Sequence, residues 1–180
     1  MLNLTIRADY LRVLILAWIA LLLSSIGFAL YSQHALGMMP CPWCVIQRLM
    51  MLISLALSLL MLGSIGLPVA MALPALALGL VQAAGMAASL YQQFVASKDT
   101  ECVMSLADRI LMASGLEHRW PWMFAASNSC AEAAQATFLG IAFPWLSFAV
   151  FAIGSLVSLQ FIGHCLRALF NPKSLKLKQG

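Results

Sequence analysis

Residues 49–97 read LMMLISLALSLLMLGSIGLPVAMALPALALGLVQAAGMAASLYQQFVAS, and from Leu49 to Ser97 there is no Asp, Glu, Lys or Arg. A helix needs about 20 residues to cross a hydrocarbon layer roughly 30 Å thick. The run therefore holds two crossings. Gly63-Ser-Ile-Gly66-Leu-Pro68 supplies the turn between them. Working outward, a further apolar span lies upstream and another downstream. The four expected spans are about 13–31, 44–63, 69–92 and 144–166, joined on one side by loops at about 32–43 and 93–143.

Composition agrees. The 180-residue chain is 63% hydrophobic and 9% charged, whereas soluble domains are roughly half apolar and a quarter charged. The predicted fold class is an all-α membrane protein, a four-transmembrane-helix bundle forming one domain over 1–180. Arg7 and Arg12 precede the first span as they would in a secretory signal. Its apolar stretch exceeds the usual ~7–15 residues, and no A-x-A-like site follows, so a retained helix is expected. In the long loop, Val103, Met104, Leu106, Ala107, Ile110 and Leu111 recur at helical spacing. They predict a short amphipathic helix, lying on the membrane surface or folded against its own loop. Trp120, Trp122 and Trp145 suit interfacial anchors.

Charge sets the expected orientation. The tails carry Arg7, Arg12, Arg167, Lys173, Lys176 and Lys178 against Asp9 alone. The long loop carries Lys98, Arg109 and Arg119 against Asp99, Glu101, Asp108, Glu117 and Glu132. By the positive-inside rule both termini are cytoplasmic and the loops are outside. The basic balance reflects this topology and gives no reason to expect nucleic-acid binding. Cys41, Cys44, Cys102 and Cys130 then face the outside, in a bacterium the periplasm, where disulfides persist. Cys165, near the other end of the last span, reads as a small buried hydrophobe.

Pro40-Cys41-Pro42-Trp43-Cys44 stands at the mouth of the second span, with Arg48 four residues on. A C-x-x-C pair closes as a disulfide within one turn of chain. So short a loop makes a poor staple, which favours redox use. Arg48 lies one turn along the same helical face as Cys44. A cation inside a span is costly and points to function, the bland alternative being a side chain snorkelling to the headgroups. Arginine and the helix N-terminus both favour thiolate at Cys44, leaving Cys41 as the expected more exposed partner. Three pairings of the four outer cysteines are formally possible. A Cys₄ zinc site is disfavoured because Cys102 and Cys130 each lack a nearby second ligand. Val45 after Cys44 excludes the haem-attachment motif C-x-x-C-H.

Tyr31-Ser-Gln33-His34 and Pro40-Cys41-Pro-Trp-Cys44-Val-Ile-Gln47-Arg48 together resemble the DsbB family of bacterial inner-membrane disulfide-forming proteins. The resemblance continues through Cys102, Phe124-Ala-Ala-Ser127-Asn-Ser-Cys130-Ala131-Glu132, and Phe138-Leu139-Gly140 before Pro144-Trp145. It covers nearly the whole chain. It implies a thiol:quinone oxidoreductase in the inner membrane, with ubiquinone or menaquinone as cofactor and a periplasmic DsbA-like thiol oxidase as partner. Nothing in the sequence argues for a stable oligomer, so a monomer is expected. On that resemblance the reduced partner attacks a Cys102–Cys130 disulfide at Cys102, and the released Cys130 attacks the Cys41–Cys44 disulfide. Electrons then leave through Cys44 to quinone beside Arg48. Two positions depart from the family pattern. Gln92 stands where a histidine near the quinone is common, and still offers the quinone a hydrogen bond. Ser129 stands where an acid is common before the fourth cysteine. The alternatives are a paralogue serving one special partner, and a membrane metal-binding or disulfide-stapled scaffold protein. Vitamin K epoxide reductase-like proteins are disfavoured because their C-x-x-C follows the loop cysteines.

Overall fold

Leu11, Ile15, Trp18, Leu22 and Ile26 recur at three- and four-residue intervals and are all buried. They form the inner stripe of helix α1 (Leu2–His34). Helix α2 (Pro42–Gly63) follows, then α3 (Pro68–Tyr91), which continues through a π-helical turn at Gln92–Ala96. Four short helices make up the long loop: α4 (Leu106–Ser114), α5 (Leu116–Arg119), α6 (Pro121–Phe124) and α7 (Cys130–Gln135). A hairpin of β1 (Thr137–Phe138) and β2 (Ile141–Ala142) leads into α8 (Phe143–Phe170). The computed structural model describes residues 2–98, 104–135 and 137–170. Cys102, Val103, Asp99, Glu101 and the three tail lysines lie outside the described residues.

Four helices are long and apolar enough to span a membrane: Asp9–His34, Pro42–Gly63, Pro68–Ala96 and Phe143–Phe170. The protein is the four-helix membrane bundle that its sequence predicts. Its burial is that of a membrane protein. Leu73, Leu80, Leu156 and Leu159 face outward, while Ser54, Ser58, Gln82 and Ser158 lie inside. The inward hydroxyls stay satisfied because each bonds a carbonyl one turn back, as Ser54 does to Met50 and Ser58 to Ser54. Gln82 of α3 donates to Ser54 Oγ of α2 at 2.9 Å, a polar tie between helices.

The most extensive helix packing joins α3 to α8. Small residues permit it. A Cβ on Gly85 would sit 2.4 Å from the Phe151 ring, and one on Gly154 would sit 2.6 Å from both Gln82 and Trp18. Cys165 is buried in this same apolar core, as its bland reading requires.

A second cluster lies over the mouth of α2. Ala107 and Leu111 of α4, Phe124 of α6 and Ala133 of α7 pack with Cys41, Trp43, Val45 and Ile46. Helix α4 begins with a capping box, in which Ser105 accepts from the Asp108 amide and Asp108 accepts from the Ser105 amide. Its inner face therefore folds against the loop's own core, while Leu106, Ile110 and Met112 remain outward. The β-hairpin turns at Leu139 and Gly140, both with positive φ, as a two-residue turn of its type demands. Phe138 then packs edge-on against Phe28 of α1, with ring centroids 4.7 Å apart.

Candidate dithiol site

Cys41 is the N-cap of α2, and its sulfur accepts from the Cys44 amide at 3.4 Å. Pro42 at the first helical position has its φ already set for the helix and no amide hydrogen to satisfy. This local geometry brings the two sulfurs to 2.9 Å as an unbonded dithiol. Cys44 sits in the first turn, where exposed backbone amides favour negative charge.

The loop then closes over Cys41. The amides of Ser127 and Asn128 both donate to the Pro40 carbonyl, at 3.2 and 3.3 Å. The tether starts α7 beside the helix mouth and sets the Cys130 thiol against the cluster that buries Cys41, near enough for the two sulfurs to interact. The sequence expectation that Cys41 is the more exposed sulfur is reversed: Cys41 is fully buried, and Cys44 is only partly so. The reason is the roof formed by residues 124–133, invisible to helix-mouth arguments. Hydrogen bonds to Cys130 and then Cys44, with burial, hold the Cys41 proton far above the usual thiol range. Cys130 is pushed the other way, because Cys41 and the Trp43 backbone hydrogen-bond its sulfur.

Cys44 faces a different neighbour. It lines a cavity with Arg48, Gln47, Gln92, Met51 and Phe143, which Cys41 does not line. Ala29, Met51, Phe143 and Ser147 also line an adjoining apolar groove of about 420 Å³ between α1 and α8. Arg48 is 4% exposed, so its head does not snorkel out. Its guanidinium donates to Gln33 Oε1 at 2.8 Å and to the Met123 carbonyl. Arg48 Nε has no partner. Among the described residues no carboxylate pairs with Arg48, the ion pair present being Asp9 with Arg12. The nearby group of opposite potential charge is the Cys44 sulfur.

Gln92 reaches the sulfurs from the π-helical turn. Its Nε2 donates to Cys44 Sγ at 3.0 Å and to Cys41 Sγ at 3.3 Å. Its Oε1 accepts from Gln47 Nε2 at 2.7 Å. Thus Cys41, Cys44, Cys130, Arg48 and Gln92 come together, while Cys102 lies outside the described residues. Sequence reasoning gave no role to Gln33 and Gln47, which hold Arg48 and Gln92. The available signal was their polarity inside or beside apolar helices, where a polar side chain needs a partner.

The fold and site together define a multi-pass membrane protein that carries a dithiol at one helix mouth, a third cysteine upon it and a buried arginine behind it. The family model for Disulfide bond formation protein DsbB matches residues 11–161, and the chain belongs to the DsbB family. With its four apolar helices, that membership indicates an inner-membrane protein. A stretch of 52 residues is 42% identical to Disulfide bond formation protein B of Aromatoleum aromaticum (strain DSM 19018 / LMG 30748 / EbN1). It spans 29% of this chain and 31% of that relative.

Proposed function

We propose that this protein is a disulfide-generating membrane oxidoreductase, which oxidises a periplasmic DsbA-type dithiol and delivers the two electrons to a membrane quinone. The observation that carries the reading is the division of the two sulfurs. Cys41 touches the loop cysteine Cys130, and Cys44 faces the cavity that holds Arg48. Both termini are then cytoplasmic and the site periplasmic, in keeping with the basic tails, and the chain works as a monomer.

In this reading the partner's thiolate attacks Cys102 of a Cys102–Cys130 disulfide and releases Cys130 as thiolate. Cys130 attacks Cys41 of the Cys41–Cys44 disulfide, forming a Cys130–Cys41 bond and freeing Cys44 as thiolate. Cys102, bonded to the partner, is freed when the partner's second thiol closes its own disulfide. Cys102 then recaptures Cys130 and releases Cys41, so that Cys41 and Cys44 stand as a dithiol. Its reclosure to the disulfide gives up two electrons and two protons, and the sum is one partner dithiol oxidised. A bound quinone supplies the two-electron sink. The residues present fit such a group: Arg48, whose buried Nε has no partner, lines the cavity with Cys44, and the adjoining apolar groove suits a prenyl tail. Arg48 favours the thiolate at Cys44 and offers donors to a carbonyl oxygen.

The test is quinone reduction, followed optically, by purified protein mixed with a reduced DsbA-type partner. Turnover is expected in the native chain and none in Cys44→Ser. Normal turnover in Cys44→Ser or Cys41→Ser would overturn the reading, and stoichiometric zinc in the isolated protein would replace it with a metal site.

A further inference from the structure

We propose that Gln47 and Gln92 form a neutral amide relay that holds a hydrogen-bond donor on the Cys41–Cys44 sulfurs. Gln92 is thereby a positioning residue for sulfur rather than a ligand of the electron acceptor. The inference rests on the redox reading of the dithiol and deepens it.

A primary amide has one accepting oxygen and two donating hydrogens. At Gln92 all are committed. The oxygen takes the Gln47 hydrogen bond, and the nitrogen serves both sulfurs, with one hydrogen available to each. Nothing is left over to direct at a carbonyl in the cavity. The relay is also sealed, since Gln47 is 2% exposed and Gln92 fully buried. A buried donor without an acceptor is costly, so Gln47 fixes which end of the Gln92 amide faces sulfur. Were the amide reversed, Gln92 would meet Gln47 nitrogen to nitrogen and present its oxygen to any thiolate.

Backbone geometry supports the assignment. The π-helical turn starts at Gln92, whose carbonyl accepts from the Ser97 amide five residues on. Such turns re-aim side chains locally and recur at functional sites. A donor aimed at sulfur stabilises the thiolate that must form when the Cys41–Cys44 bond opens. Neither amide titrates, so this support is constant across the working pH range. A histidine at the same position would gain and lose a proton near neutrality.

The experiment is a double-mutant cycle on the full-length reduced protein in detergent. Cys44 and Cys130 alkylation by iodoacetamide is read site by site by mass spectrometry, and quinone reduction is read in parallel. Gln92→Met is expected to slow Cys44 alkylation at pH 7 about tenfold, the worth of one hydrogen bond to a charged sulfur. Gln47→Met is expected to slow it several-fold, on the order of half that free energy. The double variant should match Gln92→Met, because Gln47 acts only through Gln92. Multiplying effects, an unchanged Cys44 rate in Gln47→Met, or equal slowing at Cys130 would overturn the relay. Gln47→Glu preserves the shape if Gln47→Met fails to fold. Its carboxylate, once ionised, offers only acceptors and draws the Gln92 nitrogen away from sulfur. The Cys44 rate relative to native should then fall as pH rises, and a flat ratio across the titration would overturn the proposal. Alkylation needs neither quinone nor partner. Failure of the native chain to reduce quinone would therefore refute the redox reading separately.

Discussion

The Cys130 thiol packs against the cluster that buries Cys41, near enough for the two sulfurs to interact, although 89 residues separate them in the chain. The contact is held by the Ser127 and Asn128 amides on the Pro40 carbonyl. It polarises the pair. It moves the Cys130 pKa below the ordinary thiol value and the Cys41 pKa above it. For a thiol attacking a disulfide this is the useful asymmetry, since the thiolate is the nucleophile.

A pH dependence follows from the direction of these shifts. Because the folded state lowers the Cys130 pKa, Cys130 should be alkylated half-maximally below the ordinary thiol value of 9.0. Cys41 should stay unreactive well above that value until the protein unfolds. The linked stability has matching signs. The part due to Cys130 is present at alkaline pH and fades as pH falls through its lowered pKa. The part due to Cys41 is present at low pH and fades as pH rises above the unfolded value. Alkylation of reduced protein between pH 6 and 10, mapped by peptide, checks this. Cys41 labelled as readily as Cys130 would contradict it.

Arg48 should tolerate lysine poorly. One terminal guanidinium nitrogen serves Gln33 and the Met123 carbonyl, the other reaches the Ala29 carbonyl, and Nε has no partner. An ammonium keeps the charge but not the fork. Arg48→Lys is expected to raise the quinone KM about tenfold, roughly 1.4 kcal/mol, and Arg48→Met more. The loop disulfide should form normally in both. Quinone titration of the steady-state rate checks the first point, and thiol counting under oxidising conditions the second.

Gly85→Ala should destabilise the bundle without touching the dithiol. The added methyl would meet the Phe151 ring at 2.4 Å across the α3–α8 contact. Overpacking of this kind costs about 1–3 kcal/mol. Thermal unfolding in detergent should show the loss, and Gly85→Ala combined with Phe151→Leu should recover part of it.

Ser105→Ala should loosen α4 and leave the spans intact. It removes one arm of the capping box with Asp108, worth about 1 kcal/mol. Hydrogen exchange is expected to quicken over residues 106–114 and to stay unchanged in the four spans.

Much of the site was legible because its signals are local. Cys41, Cys44 and Arg48 share one helix start, so spacing alone placed Cys44 and Arg48 on one face. Gln92 emerged only through the family resemblance, as the residue standing where a histidine is common. What spacing did not supply was each side chain's partner. Gln47 and Gln33 carry no motif that distinguishes them from ordinary polar residues, and their roles depend on which helix stands opposite. Cys41 was misjudged for the same reason. Its exposure is set by a roof of residues about 90 positions downstream, and no window of sequence contains both.

The sequence by itself determined the four spans, since transfer of apolar side chains into lipid depends on composition over about 20 residues. It also determined the dithiol turn, since N-capping by Cys41 and the fixed φ of Pro42 act within one helical turn. Only the tertiary structure decided which sulfur is buried, with Cys41 roofed by the loop and Cys44 left facing the cavity. That choice depends on how the loop's backbone hydrogen bonds are satisfied across the fold, and those partners are distant in sequence.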